Sequence, residues 1–239
     1  MSHRTESFLI DGPPRVFLRL PAGQARVVEG EPGVVGITMT GNESVLEKFQ
    51  MSLRGDQVVI EPESGRIGRW SSVTVEIRVA AGADIHARLA AGDVVVTTEI
   101  ATLTLEVGSG DVSVGSITGD ARIKIASGDV RLGSVVGDVN AKTASGDIEL
   151  GEVGGAVVAH SASGDIEVDR YLGSDFDAKT VSGDVRIGVT VGRTFAVDFS
   201  SLSGDVRTEF PVGTEVAAAT GARLTVKTMT GDIVVRPAH

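Results

Sequence analysis

Residues 127–146 read SGDVRLGSVVGDVNAKTASG. Ser-Gly-Asp-Val opens the stretch, Gly-Asp-Val returns at 137–139, and Ser-Gly closes it. On either side of it, Gly-Asp pairs put aspartates at 93, 111, 129, 147, 165, 184, 205 and 232, separated by 18, 18, 18, 18, 19, 21 and 27 residues. A fixed period of this length marks one supersecondary unit written repeatedly. One position after each aspartate stand Val94, Val112, Val130, Ile148, Ile166, Val185, Val206 and Ile233. Three after it stand Val96, Val114, Leu132, Leu150, Val168, Ile187, Thr208 and Val235, with polar Ser113, Arg131, Glu149, Glu167, Arg186 and Arg207 between. Apolar-polar-apolar alternation is the period of a half-buried strand.

A second glycine follows eight positions after most of these aspartates: Gly119, Gly137, Gly155, Gly173, Gly192 and Gly213. A second alternating run comes next. Eight before the following aspartate stand Leu103, Ala121, Val139, Val157, Phe176, Val197 and Leu224, and six before it Leu105, Ile123, Ala141, Ala159, Ala178, Phe199 and Val226. Each repeat is therefore strand, turn, strand, turn. Two short strands cannot bury an apolar face alone, so the repeats must stack on one another. The predicted fold is all-β: a parallel two-sheet β-solenoid of about 18-residue coils, its thin core free of aromatics.

Before about Val75 the alternation persists without the repeat, in VFLRL, GVVGITMTG, QVVIEPE and SVTVEIRV. Residues 1–74 are expected to form an N-terminal β cap and 75–236 the solenoid, with VEIRVAAGADIHARLAAG (75–92) as a degenerate first coil. Pro237, which lacks an amide proton, suits a final strand that must not extend.

Composition narrows the function. The net charge of −10 argues against general nucleic-acid binding, which needs cationic neutralisation of phosphates. With no cysteine, disulfides and thiolate metal sites are excluded. No apolar run is long enough for a membrane-spanning helix, and MSHRTESFLIDGPPRVFLRLPAG lacks the apolar segment of a signal peptide. A cytoplasmic location is expected, with envelope association left open.

Two explanations compete for the recurrent aspartate. Stacked carboxylates resemble a calcium-stabilised β-roll in their spacing, but calcium wants six to eight oxygens and each turn offers one Gly-Asp. The favoured explanation is geometric: glycine supplies the positive φ, and the aspartate bonds to backbone amides at the corner. No metal or cofactor is expected. Nucleophile-elbow, phosphate-loop and HExxH motifs are absent, and Glu149 and Glu167, one coil apart on a flat face, read as ordinary exposed charge. The chain is expected not to be an enzyme.

The candidate partner-binding residues are Lys124, Lys142, His160 and Lys179, a basic stripe on a solvent face, with Phe195 and Phe210 on the rim where the last coils lengthen. That rim reads equally as a binding edge or as a cap. The loop SGRIGRW (64–70), which carries the only tryptophan, reads as part of the N-terminal cap.

The tandem GSGDVSV, ASGDVRL, ASGDIEL, ASGDIEV, VSGDVRI and LSGDVRT segments resemble the bacterial "putative adhesin" family of β-strand-repeat proteins over about Val75 to Arg236. The resemblance implies a repetitive β-fold and an interaction role, and it supplies no catalytic residues. A weaker architectural likeness is to bactofilins, which polymerise end to end. The expected function is a non-enzymatic scaffold presenting a rigid surface to a protein partner. A self-assembling filament or a calcium-stabilised roll are the alternatives, and a homo-oligomer is compatible with all three.

Overall fold

The structure, a computed structural model, describes residues 1–63, 71–190, 195–209 and 222–238. It divides into two compact units, residues 1–118 with 123–125, and residues 119–122 with 126–239.

The first unit contains β1 (Ser2–Leu9), β2 (Arg15–Glu29), β3 (Val34–Gly41), the one-turn helix α1 (Glu43–Leu46), β4 (Phe49–Arg54) and β5 (Gln57–Pro62). It continues with β6 (Val73–Val79), β7 (Ala83–Ala91), β8 (Val94–Val96), β9 (Ile100–Ser109) and β10 (Val112–Ile117). The division between units falls within β11 (Ala121–Ser127). In the second unit, one wall is made by β13 (Val139–Ser145), β15 (Val157–Ser163), β17 (Asp175–Ser182), β19 (Phe195–Ser203) and β21 (Ala222–Thr230). The facing wall is made by β12 (Val130–Val135), β14 (Ile148–Val153), β16 (Ile166–Tyr171), β18 (Val185–Val189), β20 (Val206–Thr208) and β22 (Ile233–Pro237).

Within each unit the strands of the Gly-Asp coils stack in parallel and in the register that the repeat predicts. Val139 lies beside Val157, and Val157 beside Phe176. Ile148 lies beside Ile166, and Ile166 beside Val185. The inward positions one after the aspartates are sealed in every coil but the β19–β20 one: Val94, Val112, Val130, Ile148, Ile166, Val185 and Ile233 are each 0% exposed. Burying a side chain of this size contributes about 1.5–3 kcal/mol, so every added coil supplies several such terms. The expectation of a core free of aromatics does not hold. Tyr171 and Phe176 are fully buried with ring centroids 5.2 Å apart, edge to face, and Gly173 leaves the room that the Tyr171 hydroxyl occupies.

The corner glycines explain the invariance of the Gly-Asp spelling. Gly146, Gly164 and Gly183 have φ of +135°, +146° and +151°, a region that side-chain-bearing residues rarely enter. Space is a second constraint, since a Cβ on Gly164 would strike the carbonyl oxygen of Gly146 one coil away.

Coils do not stack in the order in which they are written. In the second unit β22 pairs with β18 on one side and β20 on the other, and β21 likewise lies between β17 and β19. The coil nearest the C-terminus is thus interior, with Pro237 beside Val189, and the β19–β20 coil stands outside it. Burial explains the preference. The inserted coil offers Leu224, Val226, Ile233 and Val235 to the core, whereas the outer one offers the polar Thr208 in the place of Val235.

The first unit shows the mirror of this arrangement. β2 is a complete coil that turns at Gly23, where φ is +137°, although no Gly-Asp announces it. Its first half lies between β5 and β7, its second between β6 and β8, all parallel. β6 therefore precedes β7 in sequence but is separated from the β7–β8 coil by β2. Beyond these parallel rungs the sheets finish with antiparallel pairings, β4 on β5, β3 on β6 and β1 on β3.

Candidate functional site

The aspartates form a ladder. Oδ1 of Asp129 accepts the backbone N–H of Asp147 at 3.0 Å, Asp147 accepts that of Asp165, and Asp165 that of Asp184, both at 2.8 Å. The series then follows spatial order, from Asp184 to Asp232 and from Asp232 to Asp205, each at 2.8 Å. In the first unit Asp93 receives Asp111 in the same way at 3.0 Å. The second corner repeats the device in Asp120, which accepts the Asp138 N–H, and in Asp138, which accepts that of Ala156. Each carboxylate thus satisfies a corner amide that no strand pairing reaches.

The second carboxylate oxygen often goes to an arginine two residues on: Asp129 to Arg131 at 3.0 Å, Asp184 to Arg186 at 2.6 Å and Asp205 to Arg207 at 2.8 Å. Among the described residues no group of three or more His, Asp or Glu side chains is placed to hold a metal ion. Glu149 and Glu167 do stack on neighbouring coils, yet each is engaged by an arginine, Glu149 by Arg131 at 3.0 Å and Glu167 by Arg236 at 2.8 Å.

The predicted basic stripe is real in register. Lys142 lies beside His160, His160 beside Lys179, and Lys179 beside Lys227, with Ser200 next. Lys124 belongs to the first unit by contact and is exposed. The stripe is less cationic than its spacing suggests, because aspartates two positions away answer it. Asp177 lies 2.7 Å from Lys179 Nζ and 3.5 Å from His160 Nε2, and Asp198 lies 3.6 Å from Lys227 Nζ. Burial pushes the His160 pKa below its ordinary value; Asp177 opposes the shift while Lys179 and Lys142 add to it. At neutral pH the imidazole is therefore uncharged. Burial alone would raise the Asp177 pKa, but the Lys179 ammonium holds it below the usual carboxylate value. Phe195 opens β19 beside Ala222 and is half-buried, and Phe210 and the 64–70 loop lie outside the described residues.

Sequence reasoning missed a column three positions before each aspartate. In spatial order it runs Ala144, Ala162, Val181, Met229, Leu202, and the last three are 50%, 52% and 80% exposed. The signal was visible as ASGD, ASGD, VSGD, MTGD, LSGD. It shares the outer face of its wall with the lysine stripe, two residues away on every strand. This face therefore presents an amphipathic pair of columns, charged and apolar, whose apolar member grows along the stack.

The whole chain can be superposed on solved structures of low sequence identity. One, a "putative adhesin" from Bacteroides fragilis, is 12% identical with a TM-score of 0.56, over 98% of this chain and 97% of that one. Another, a "putative lipid binding protein" from Parabacteroides distasonis, is 14% identical with a TM-score of 0.55, over 98% and 96%. These likenesses concern the fold. No curated protein matches the sequence. The Toastrack DUF4097 family model matches residues 39–236, which takes in the Gly-Asp coils and their aspartate ladders, and the chain belongs to that family.

Proposed function

We propose that the protein is a non-enzymatic β-repeat scaffold that holds one rigid outer face toward a protein partner, in the manner of an adhesin. The observation that carries this reading is the pairing of columns on the β15–β17–β21–β19 wall, Lys179 with Val181, Lys227 with Met229 and Ser200 with Leu202. Exposed aliphatic side chains aligned over successive coils mark an interaction surface. The neighbouring lysines, each answered by its own aspartate, favour a partner segment that is apolar with charges of both signs beside it. The aspartate ladder leaves the repeated carboxylates committed to backbone amides, which suits structure rather than chemistry or calcium.

The test is in-cell crosslinking from benzoylphenylalanine placed at Met229, followed by binding measurements on the captured partner. Met229→Asp with Lys179→Glu should weaken that partner on the order of tenfold or more while circular dichroism is unchanged. Undiminished affinity in the double variant would remove this face from the interaction.

A further inference from the structure

We propose that the β19–β20 coil is a self-association edge, covered in solution by the same coil of a second copy of the chain. Among the described residues β19 pairs only with β21, and β20 only with β22, so the two form the outermost described rung of the stack. Inward positions that are sealed elsewhere are open here. Val206 is 46% exposed where the seven other residues of its column, Val94 to Ile233, are 0% exposed. Val197 is 45% exposed where Val139, Val157, Phe176 and Leu224 are 0–1% exposed. Apolar surface at a strand edge is the feature that proteins ordinarily blunt with charge, proline or a covering element. The edge strand β1 does so with His3, Arg4 and Glu6. β19 and β20 hold no lysine or proline, and their only charged residues are Asp198 and Arg207.

The occupant must offer two strand edges at once, separated by roughly the 10 Å between packed sheets. A second copy turned about a two-fold axis meets that requirement by identity and brings like strands together antiparallel. Charge favours it as well. Asp205 and Arg207 flank Val206 and project on the same face, 2.8 Å apart within the chain. Antiparallel pairing centred on Val206 sets each Asp205 against Arg207 of the second copy, so the edge is self-complementary. Such a contact is isologous and closes at two copies, which distinguishes it from an end-to-end filament.

The experiment is sedimentation equilibrium of the full chain over a wide concentration range. The expected result is a monomer–dimer equilibrium, weakened on the order of tenfold by Arg207→Asp and restored by the exchange Asp205→Arg with Arg207→Asp. The restoration guards against a variant that merely folds badly. Because the chain has no cysteine, Val206→Cys supplies a second readout, an oxidised covalent dimer. A chain monomeric at every concentration overturns the proposal. So does a dimer indifferent to Arg207→Asp, or a mass that grows without limit.

Discussion

The two units close the same corner in different ways. Four positions before the aspartate, the first unit places Leu89, Val107 and Ile125, and the second Thr143, Ser161, Thr180, Thr228 and Ser201. Leu89, Val107, Ile125, Ser161, Thr180 and Thr228 are all buried. In the second unit four of these five hydroxyls donate to the glycine carbonyl of the neighbouring coil: Ser161 to Gly146 at 3.3 Å, Thr180 to Gly164 at 3.1 Å, Thr228 to Gly183 at 3.2 Å and Ser201 to Gly231 at 3.0 Å, while the buried Thr143 hydroxyl makes no hydrogen bond among the described residues. In the first unit hydrocarbon fills the equivalent space. The backbone of the corner is thus the shared invention, and what seals it from inside is negotiable. A hydroxyl ties two coils together at a defined atom, whereas an aliphatic group gains burial without specifying a partner.

If the corner backbone is common to both units, Gly110→Ala and Gly164→Ala should each cost about 3 kcal/mol, since both glycines lie at positive φ and face a glycine carbonyl. Urea unfolding of the two variants checks this, and a large inequality between them would separate the two corners. A smaller effect distinguishes the seals. Thr180→Val should cost about 1–2 kcal/mol by leaving the Gly164 carbonyl unmet. Val107→Thr should cost less than about 1 kcal/mol, because the Gly92 carbonyl stands ready for the new hydroxyl. Equal losses in both directions would show that the hydroxyl has no matched acceptor.

The smallest effect concerns pH. Burial is the main cause lowering the pKa of His86 in the first unit and of His160 in the second. The unfolded imidazole takes up a proton near pH 6.5, and the folded one resists. This contribution to stability is complete above about pH 6.5 and declines as the pH falls toward the lower folded values. Urea midpoints at pH 7.5 and pH 5.5 should differ less in His86→Gln and His160→Gln than in the parent chain, and least in the double variant. An unchanged pH dependence would assign it to the carboxylates.

Much of this architecture was legible in the spacing of a single dipeptide. The 18-residue period fixes strand, corner and register, because a parallel ladder repeats each environment at every coil. It could not reveal the order of the coils, since β21–β22 and β19–β20 carry the same signature and differ only in how completely they fill a core. Nor could it reveal β2, where Pro21-Ala22-Gly23-Gln24 turns the corner without an aspartate. On the candidate face, the lysines were found by their alternation against the apolar columns. Val181, Met229 and Leu202 were overlooked because each is an unremarkable aliphatic singly, and only stacking makes them a surface. Asp177 and Asp198 were overlooked as counter-charges for the same reason.

The displaced coils have a consequence for how the chain is assembled and dismantled. β2 leaves the ribosome before the strands that flank it, which come from residues 57–96, so it must wait for them. The β21–β22 coil has to slot between strands that are already made, which places its docking late in the process. Once seated, each is zipped along both edges. Tension applied near residue 238 would have to shear two ladders simultaneously instead of peeling one.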